Sequence, residues 1–303
     1  MLVALLLGLT LAMPESGETT MTQVDVSAGF GYRLTQQTNG SQVLSVDGSS
    51  GREVSGFASA GFTLYGKSLV DDDAPPSLQA YLQYATRLHI GGGGGYSDRQ
   101  LPDDDGSSPL AHGWVEAEAE GYYQRRLYLA ASFEYDYDTW RFDGDSMSEQ
   151  LQTFAAAIGL RFGDLRVSAG WGGTAYGIGA GRSHVRFYGG AFLDLYSVID
   201  RSFELDVGAR AAEGGAEGHV AATWWLGRRL GLTLGGSGGA HAFVDSPMRY
   251  EFVSGSASAL LWFTPKLAGQ LAFAVTWLRP LTGADDTAVG GIANVLTLTL
   301  LVR

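Results

Sequence analysis

The chain has 303 residues, of which only 17% are charged, 44 are glycine and none is cysteine, with a formal net charge of −12. A soluble globular domain carries about 25% charged residues, so low charge with abundant Gly, Ala and aromatics fits a surface that meets lipid better than a soluble enzyme. The lack of cysteine excludes a disulfide framework, a thiolate metal site and a cysteine nucleophile, and the acidic balance argues against nucleic acid, whose phosphates need a basic patch.

Leu2 to Ala12 form an apolar run, far short of the ~20 residues of a spanning helix. It reads as the core of a secretory signal over residues 1–12, with the small residues Thr10 and Ala12 before a cut. Residues 13–21 follow as a short polar lead. No Lys or Arg precedes the run, so either the start lies further upstream or this is a buried N-terminal segment. No later run is long and apolar enough for a transmembrane helix.

From residue 22 to 303 the chain alternates apolar and polar residues, segment after segment, with the period of two that defines strands. Val24, Val26, Ala28, Phe30 and Tyr32 make the first apolar row, against Asp25, Ser27, Gly29, Gly31 and Arg33. The second row is Ala58, Ala60, Phe62 and Leu64. The third is read over Leu78–Ile90, with Arg87 and His89 on its polar side. The fourth sets Val115, Ala117 and Ala119 against Glu116, Glu118 and Glu120. The fifth, LYLAASFEYDYD, sets Leu127, Leu129, Ala131, Phe133, Tyr135 and Tyr137 against a polar row that ends in Glu134, Asp136 and Asp138.

Rows continue at Phe154–Phe162, Leu165–Trp171 (opposite Arg166), Val185–Leu195 (opposite Arg186 and Asp194) and Phe203–Ala209 (opposite Glu204, Asp206 and Arg210). Val220–Leu226 follows, then Leu230–Leu234, which dissolves into GGSGGA. Val253–Phe263, Leu267–Trp277 and Leu296–Val302 close the series. The total is about fourteen strands.

Two features say which face looks inward. The apolar rows carry no Asp, Glu, Lys or Arg, as a lipid-facing row requires, because Lys or Arg there costs ~2–4 kcal/mol at mid-bilayer. The connections also alternate in length. Tight turns fall at Gln124–Arg126, Gly163–Asp164, Gly227–Arg229 and Thr264–Lys266. Longer polar loops are expected at Leu34–Arg52, Gly91–Ala111, Thr139–Ser148, Gly239–Met248 and Pro280–Val289. GGGGG (Gly91–Gly95) reads as the start of such a loop, since no helix and no GK[ST] completes a phosphate loop. GKSLVDDDAPPS (Gly66–Ser77) is a longer connection on the short-turn side. Aromatics sit near the row ends, with Tyr32, Tyr135, Tyr137 and Trp277 toward the loops and Tyr123, Phe162, Phe203 and Phe263 toward the turns, like the girdles of a membrane barrel.

With these features the chain resembles the bacterial outer-membrane β-barrels of porin type. The resemblance is one of architecture over residues 22–303, without a family-specific motif, and the chain departs from the usual aromatic last residue by ending in Arg303. It implies an all-β, up-and-down antiparallel transmembrane β-barrel in the outer membrane. It also implies the lipid bilayer as a partner and passive passage of small polar solutes or ions. The other reading of the same architecture is a closed barrel acting as a structural or interaction protein through its long loops.

With the polar rows inside, Glu116, Glu118, Glu120, Glu134, Asp136 and Asp138 form an acidic wall. Arg87, Arg166, Arg186 and Arg210 are expected on other walls, setting a field across the lumen that tunes ion preference. No cofactor or metal is expected. The Asp71–Asp73 and Asp103–Gly106 runs are solvated acidic loops rather than Ca²⁺ loops. The five histidines, His89, His112, His184, His219 and His241, read as lumen or loop residues. No spacing demands a nucleophile, base and orienting group together, so no enzyme is expected.

Overall fold

The computed structural model describes residues 21–39, 42–43, 50–66, 86–100, 107–124, 126–142, 145–178, 186–199, 202–212, 215–227, 229–242, 249–264, 266–280 and 290–302. The strands are β1 (Met21–Asn39), β2 (Gln42–Val43), β3 (Ser50–Tyr65), β4 (Thr86–Gln100), β5 (Ser107–Tyr123), β6 (Leu127–Phe142), β7 (Asp145–Phe162) and β8 (Leu165–Ile178). The series continues through β9 (Arg186–Ile199), β10 (Phe203–Ala212), β11 (Gly215–Leu226), β12 (Leu230–Ala242), β13 (Arg249–Thr264), β14 (Leu267–Pro280) and β15 (Gly290–Val302). No helix occurs among the described residues.

From β3 onward each strand pairs antiparallel with its neighbours in sequence, and β3 pairs with β1. β1 also pairs with β15, from Val26↔Val302 to Thr38↔Gly290. The two-residue β2 only extends the β1–β3 hairpin. Fourteen strands therefore form a closed, up-and-down, antiparallel barrel. Closure removes the unpaired edges that an open sheet would present. The even number returns the start of β1 and the end of β15 to the end that carries the tight turns.

The period of two becomes an inversion of the usual globular order. Along β1, Val24, Val26, Ala28 and Phe30 are exposed, while Asp25, Ser27 and Gly29 are half-buried. Ile90, Ile158 and Leu298 are each more than half exposed (55%, 57% and 58%), whereas Arg166 and Glu204 are each only 4% exposed. A soluble sandwich stacks its aliphatic rows face to face. Here those rows cover the outside of a cylinder, and water would have to hydrate all of them. An apolar belt of that extent is a lipid-facing surface.

The tight turns follow from backbone chemistry. Gly163 has φ 61° and is the first of two residues between the paired Phe162 and Leu165, the place a type II′ hairpin gives to glycine. Gly227 (φ 67°) opens the turn before β12, and Gln124 (φ 50°) is the one described non-glycine residue with positive φ. An aromatic band lies beside these turns, including the exposed Tyr123, Phe162, Trp224 and Phe263. Phe203 meets Trp224 edge-on, with ring centroids 5.1 Å apart.

Several boundaries differ from the sequence expectation. The third strand runs Thr86–Gln100 and takes Gly91–Gly95 into the wall, so this glycine run is strand and not a loop start. Paired backbones on both sides hold it extended where its own propensity is poor. The loop expected over Thr139–Ser148 shrinks to residues 143–144 between β6 and β7, and only residues 213–214 separate β10 from β11. Strands also run on past the apolar rows into the polar loop-side sequence, because hairpin pairing continues after lipid contact ends. The GGSGGA stretch stays in register through Ala240. The signal segment 1–12, the lead 13–20, the Leu78–Tyr84 part of the third row, the Asp71–Asp73 and Asp103–Gly106 runs, and His184 lie outside the described residues.

Candidate functional site in the barrel lumen

Every sequence-selected carboxylate faces the lumen. Glu116, Glu118 and Glu120 come from β5, and Glu134, Asp136 and Asp138 from β6. Their register sets Glu116 directly opposite Glu134, with His112 opposite Asp138. Like charges directly opposite one another destabilise a strand pair, so the Glu116–Glu134 juxtaposition is one that folding alone would not favour.

Arg87 does not stand across the lumen as expected, while Arg166, Arg186 and Arg210 belong to β8, β9 and β10. Arg87 is on β4, next to the acidic wall, and its Nη1 donates to Glu118 Oε2 at 2.8 Å and lies 3.5 Å from Glu120 Oε1. Arg166 on β8 donates to Asp194 Oδ2 at 2.8 Å and lies 3.8 Å from Glu120 Oε2. Its guanidinium also sits over the rings of Tyr128 (4.5 Å) and Tyr196 (5.3 Å). Alternation along a strand fixes the face but not which side chains meet inside the barrel, so Arg87 on a neighbouring strand passed for an opposite. Arg210 reaches the lumen from β10. Arg186 begins β9, and its side chain lies outside the described residues.

Most of the inward charge lies on one arc of the wall, β4 to β11, and Asp25 and Arg33 on β1 and Glu53 on β3 add to it from the same face as Ser27. Hydroxyls also line the interior. Three hydroxyl pairs bridge neighbouring strands: Ser27 with Ser59 (2.6 Å), Thr223 with Thr233 (2.8 Å) and Ser254 with Thr276 (3.0 Å). A cavity of about 410 Å³ opens on the charged arc, lined by residues including Arg87, Glu118, Arg166, Asp194, Arg210 and His219.

Below it, toward the turns, the lumen wall carries a buried aromatic layer that sequence reasoning did not single out. Tyr122, Tyr128 and Tyr196 form one cluster, and Trp225 and Trp262 pack with Ala268 in another. Glu204 joins them, accepting from Tyr196 Oη (2.8 Å) and Trp225 Nε1 (2.7 Å). Tyr128 Oη donates to Glu120 at 2.9 Å. The signal was present in the sequence. Trp224 and Trp225 are adjacent, so one of them had to face inward.

Glycines make room for a second set of inward aromatics. Gly93 faces the lumen under the Trp114 ring, where a Cβ would meet Cζ2 at 2.6 Å, and at Gly95 it would lie 3.2 Å from Phe57 Cβ. His112 stacks on Trp114 with centroids 5.2 Å apart and bonds Asp138 through Nδ1. One relay has the outline of a hydrolytic triad: Thr63 Oγ1 lies 2.8 Å from His89 Nδ1, and His89 Nε2 lies 3.3 Å from Glu116 Oε1. Thr63 is only 2% exposed, so no substrate carbonyl reaches its hydroxyl. The relay orders the wall instead.

No family model matches the chain, and no curated protein matches it. Solved structures do. A Pseudomonas aeruginosa FadL homologue aligns with TM-score 0.52 at 8% identity, covering 94% of this chain and 90% of its own. The Acinetobacter baumannii outer membrane protein Omp33 aligns with TM-score 0.46 at 14% identity, covering 93% and 97%. The translocator domain of the autotransporter NalP from Neisseria meningitidis aligns with TM-score 0.44 at 11% identity, covering 100% and 95%. Identities this low speak for fold alone. With the closed cylinder and its apolar exterior, the fold is that of the outer-membrane β-barrels.

Proposed function

We propose that this protein is a bacterial outer-membrane channel that lets small polar solutes or ions diffuse passively through a charged lumen. The observation that carries the reading is the acidic arc. Glu116 and Glu134 face each other across neighbouring strands at a cost in stability. A wall of fixed negative charge inside a low-dielectric cylinder concentrates cations and repels anions, which gives this costly arrangement a purpose. The reading is non-enzymatic, in keeping with the buried hydroxyl of the Thr63–His89–Glu116 relay.

A second reading rests on the aromatic layer at the turn end. Tyr196 and Trp262 are buried on the inner side, at 1% and 2% exposure, and such filling favours a closed barrel that serves as a structural or interaction protein through its loops. Planar-bilayer recording separates the two. The channel reading expects discrete openings with cation preference, and a several-fold drop in the cation-to-anion permeability ratio when Glu118 and Glu134 are both replaced by Gln. Silence from protein proven folded by its heat-modifiable gel mobility overturns the channel and leaves the scaffold.

A further inference from the structure

The charged arc also gathers two carboxylates and an imidazole on three consecutive strands. Asp194 on β9, Asp206 on β10 and His219 on β11 bring one ligand atom each within 4.8 Å of one another. His219 Nε2 lies 3.6 Å from Asp206 Oδ1. That oxygen is shielded from solvent and accepts no hydrogen bond, a condition that leaves a carboxylate oxygen seeking a cation. Gly208 pairs with both Asp194 and His219. A Cβ at Gly208 would run into the His219 ring, so the missing side chain lets the imidazole lean across β10 toward Asp206.

We propose that Asp194, Asp206 and His219 form a binding site for a divalent transition cation of the zinc class, three protein ligands with an open coordination position toward the lumen cavity. Carboxylate and imidazole donors sit about 2.0–2.2 Å from Zn²⁺, so ligand atoms placed tetrahedrally around one ion are roughly 3.4 Å apart. The spread of up to 4.8 Å closes to this with side-chain movement of about 1 Å. An imidazole in the set favours Zn²⁺, Ni²⁺ or Cu²⁺ over Mg²⁺ and Ca²⁺, which take oxygen ligands. Arg166 supports the site from outside. It holds Asp194 Oδ2 at 2.8 Å and leaves Oδ1 for the ion, the orienting role that outer groups play around metals.

Isothermal titration of the detergent-folded full chain with ZnCl₂ tests this, with folding of each variant checked by heat-modifiable mobility. One Zn²⁺ per barrel is expected to bind saturably. Affinity falls at least tenfold in Asp206→Asn and in His219→Ala and is unchanged in Asp98→Asn, whose carboxylate lies on the outer row of β4. Absence of saturable binding, or binding that survives both substitutions, overturns the site. Cu²⁺ paramagnetic resonance on the unmodified protein gives an answer that no folding defect can blur. Superhyperfine coupling to an imidazole nitrogen at one equivalent is expected, and an all-oxygen spectrum refutes the assignment.

Discussion

Arg166 shows how much one residue's position matters in this barrel. Its side chain is 5% exposed and stands between Glu120 and Asp194 while two tyrosine rings cover it. Removing one member of a buried ionic group strands the others without compensation, a loss of about 3–5 kcal/mol. Arg166→Met is therefore expected to destabilise the barrel by roughly 3 kcal/mol, read as a lower urea midpoint in vesicles. Arg210→Met, at a residue lining the same cavity without that clasp, is expected to change the midpoint little. Equal effects would show that the clasp contributes nothing special. In sequence Arg166 was recognisable as an inward charge, because its parity opposes Val167 and Ala169. Its partners were not recognisable, since Glu120 and Asp194 are brought to it by strands on either side.

Strands show the division between faces most plainly. In β15, Leu296, Leu298 and Leu300 are exposed while Thr297 and Thr299 between them are half-buried. A charge placed on Leu298 meets hydrocarbon, and one placed on Thr299 meets the lumen. Leu298→Arg is expected to lose about 2–4 kcal/mol of folding stability and to insert poorly into vesicles. Thr299→Arg, one residue away, is expected to insert nearly as well as the unaltered chain. Comparable losses from both would refute the assignment of faces. The strands also differ in reach. β1 and β7 have 19 and 18 residues, but β10 and β11 only 10 and 12. A bilayer crossing needs about 9–11, so the rim stands tall over β1 and β7 and low over β10 and β11. Apolar rows reported the part of each strand in lipid and were silent about the wall above it, where hairpin pairing alone sustains the strand. The same limit hid Gly91–Gly95, whose strand identity comes from β3 and β5 rather than from its own side chains.

The whole molecule depends on one seam. β1 and β15 are the farthest apart in sequence, and their thirteen-pair register converts a meander into a cylinder. Ser27 and Leu301 are lumen-side partners across it, and the native chain has no cysteine. Ser27→Cys with Leu301→Cys is expected to oxidise to an intramolecular disulfide only in folded protein. The product should keep a compact mobility after boiling until reductant is added. Crosslinking that is equal in urea-unfolded chain, or absent from folded barrel, would show that the seam is not paired this way. At this scale the number of strands, the placement of the start of β1 and the end of β15 beside the tight turns, and the outward apolar surface were all written in the alternation. Each is a local consequence of period two and of turn residues such as Gly163. The wall was thus legible in the chain of residues alone: strands, faces and an exterior built for lipid. The interior was not, because register and closure choose which inward side chains meet. They brought Arg87 beside Glu118 rather than across from it, gathered Tyr196, Glu204 and Trp225 into one buried group, and set Asp194, Asp206 and His219 around a glycine.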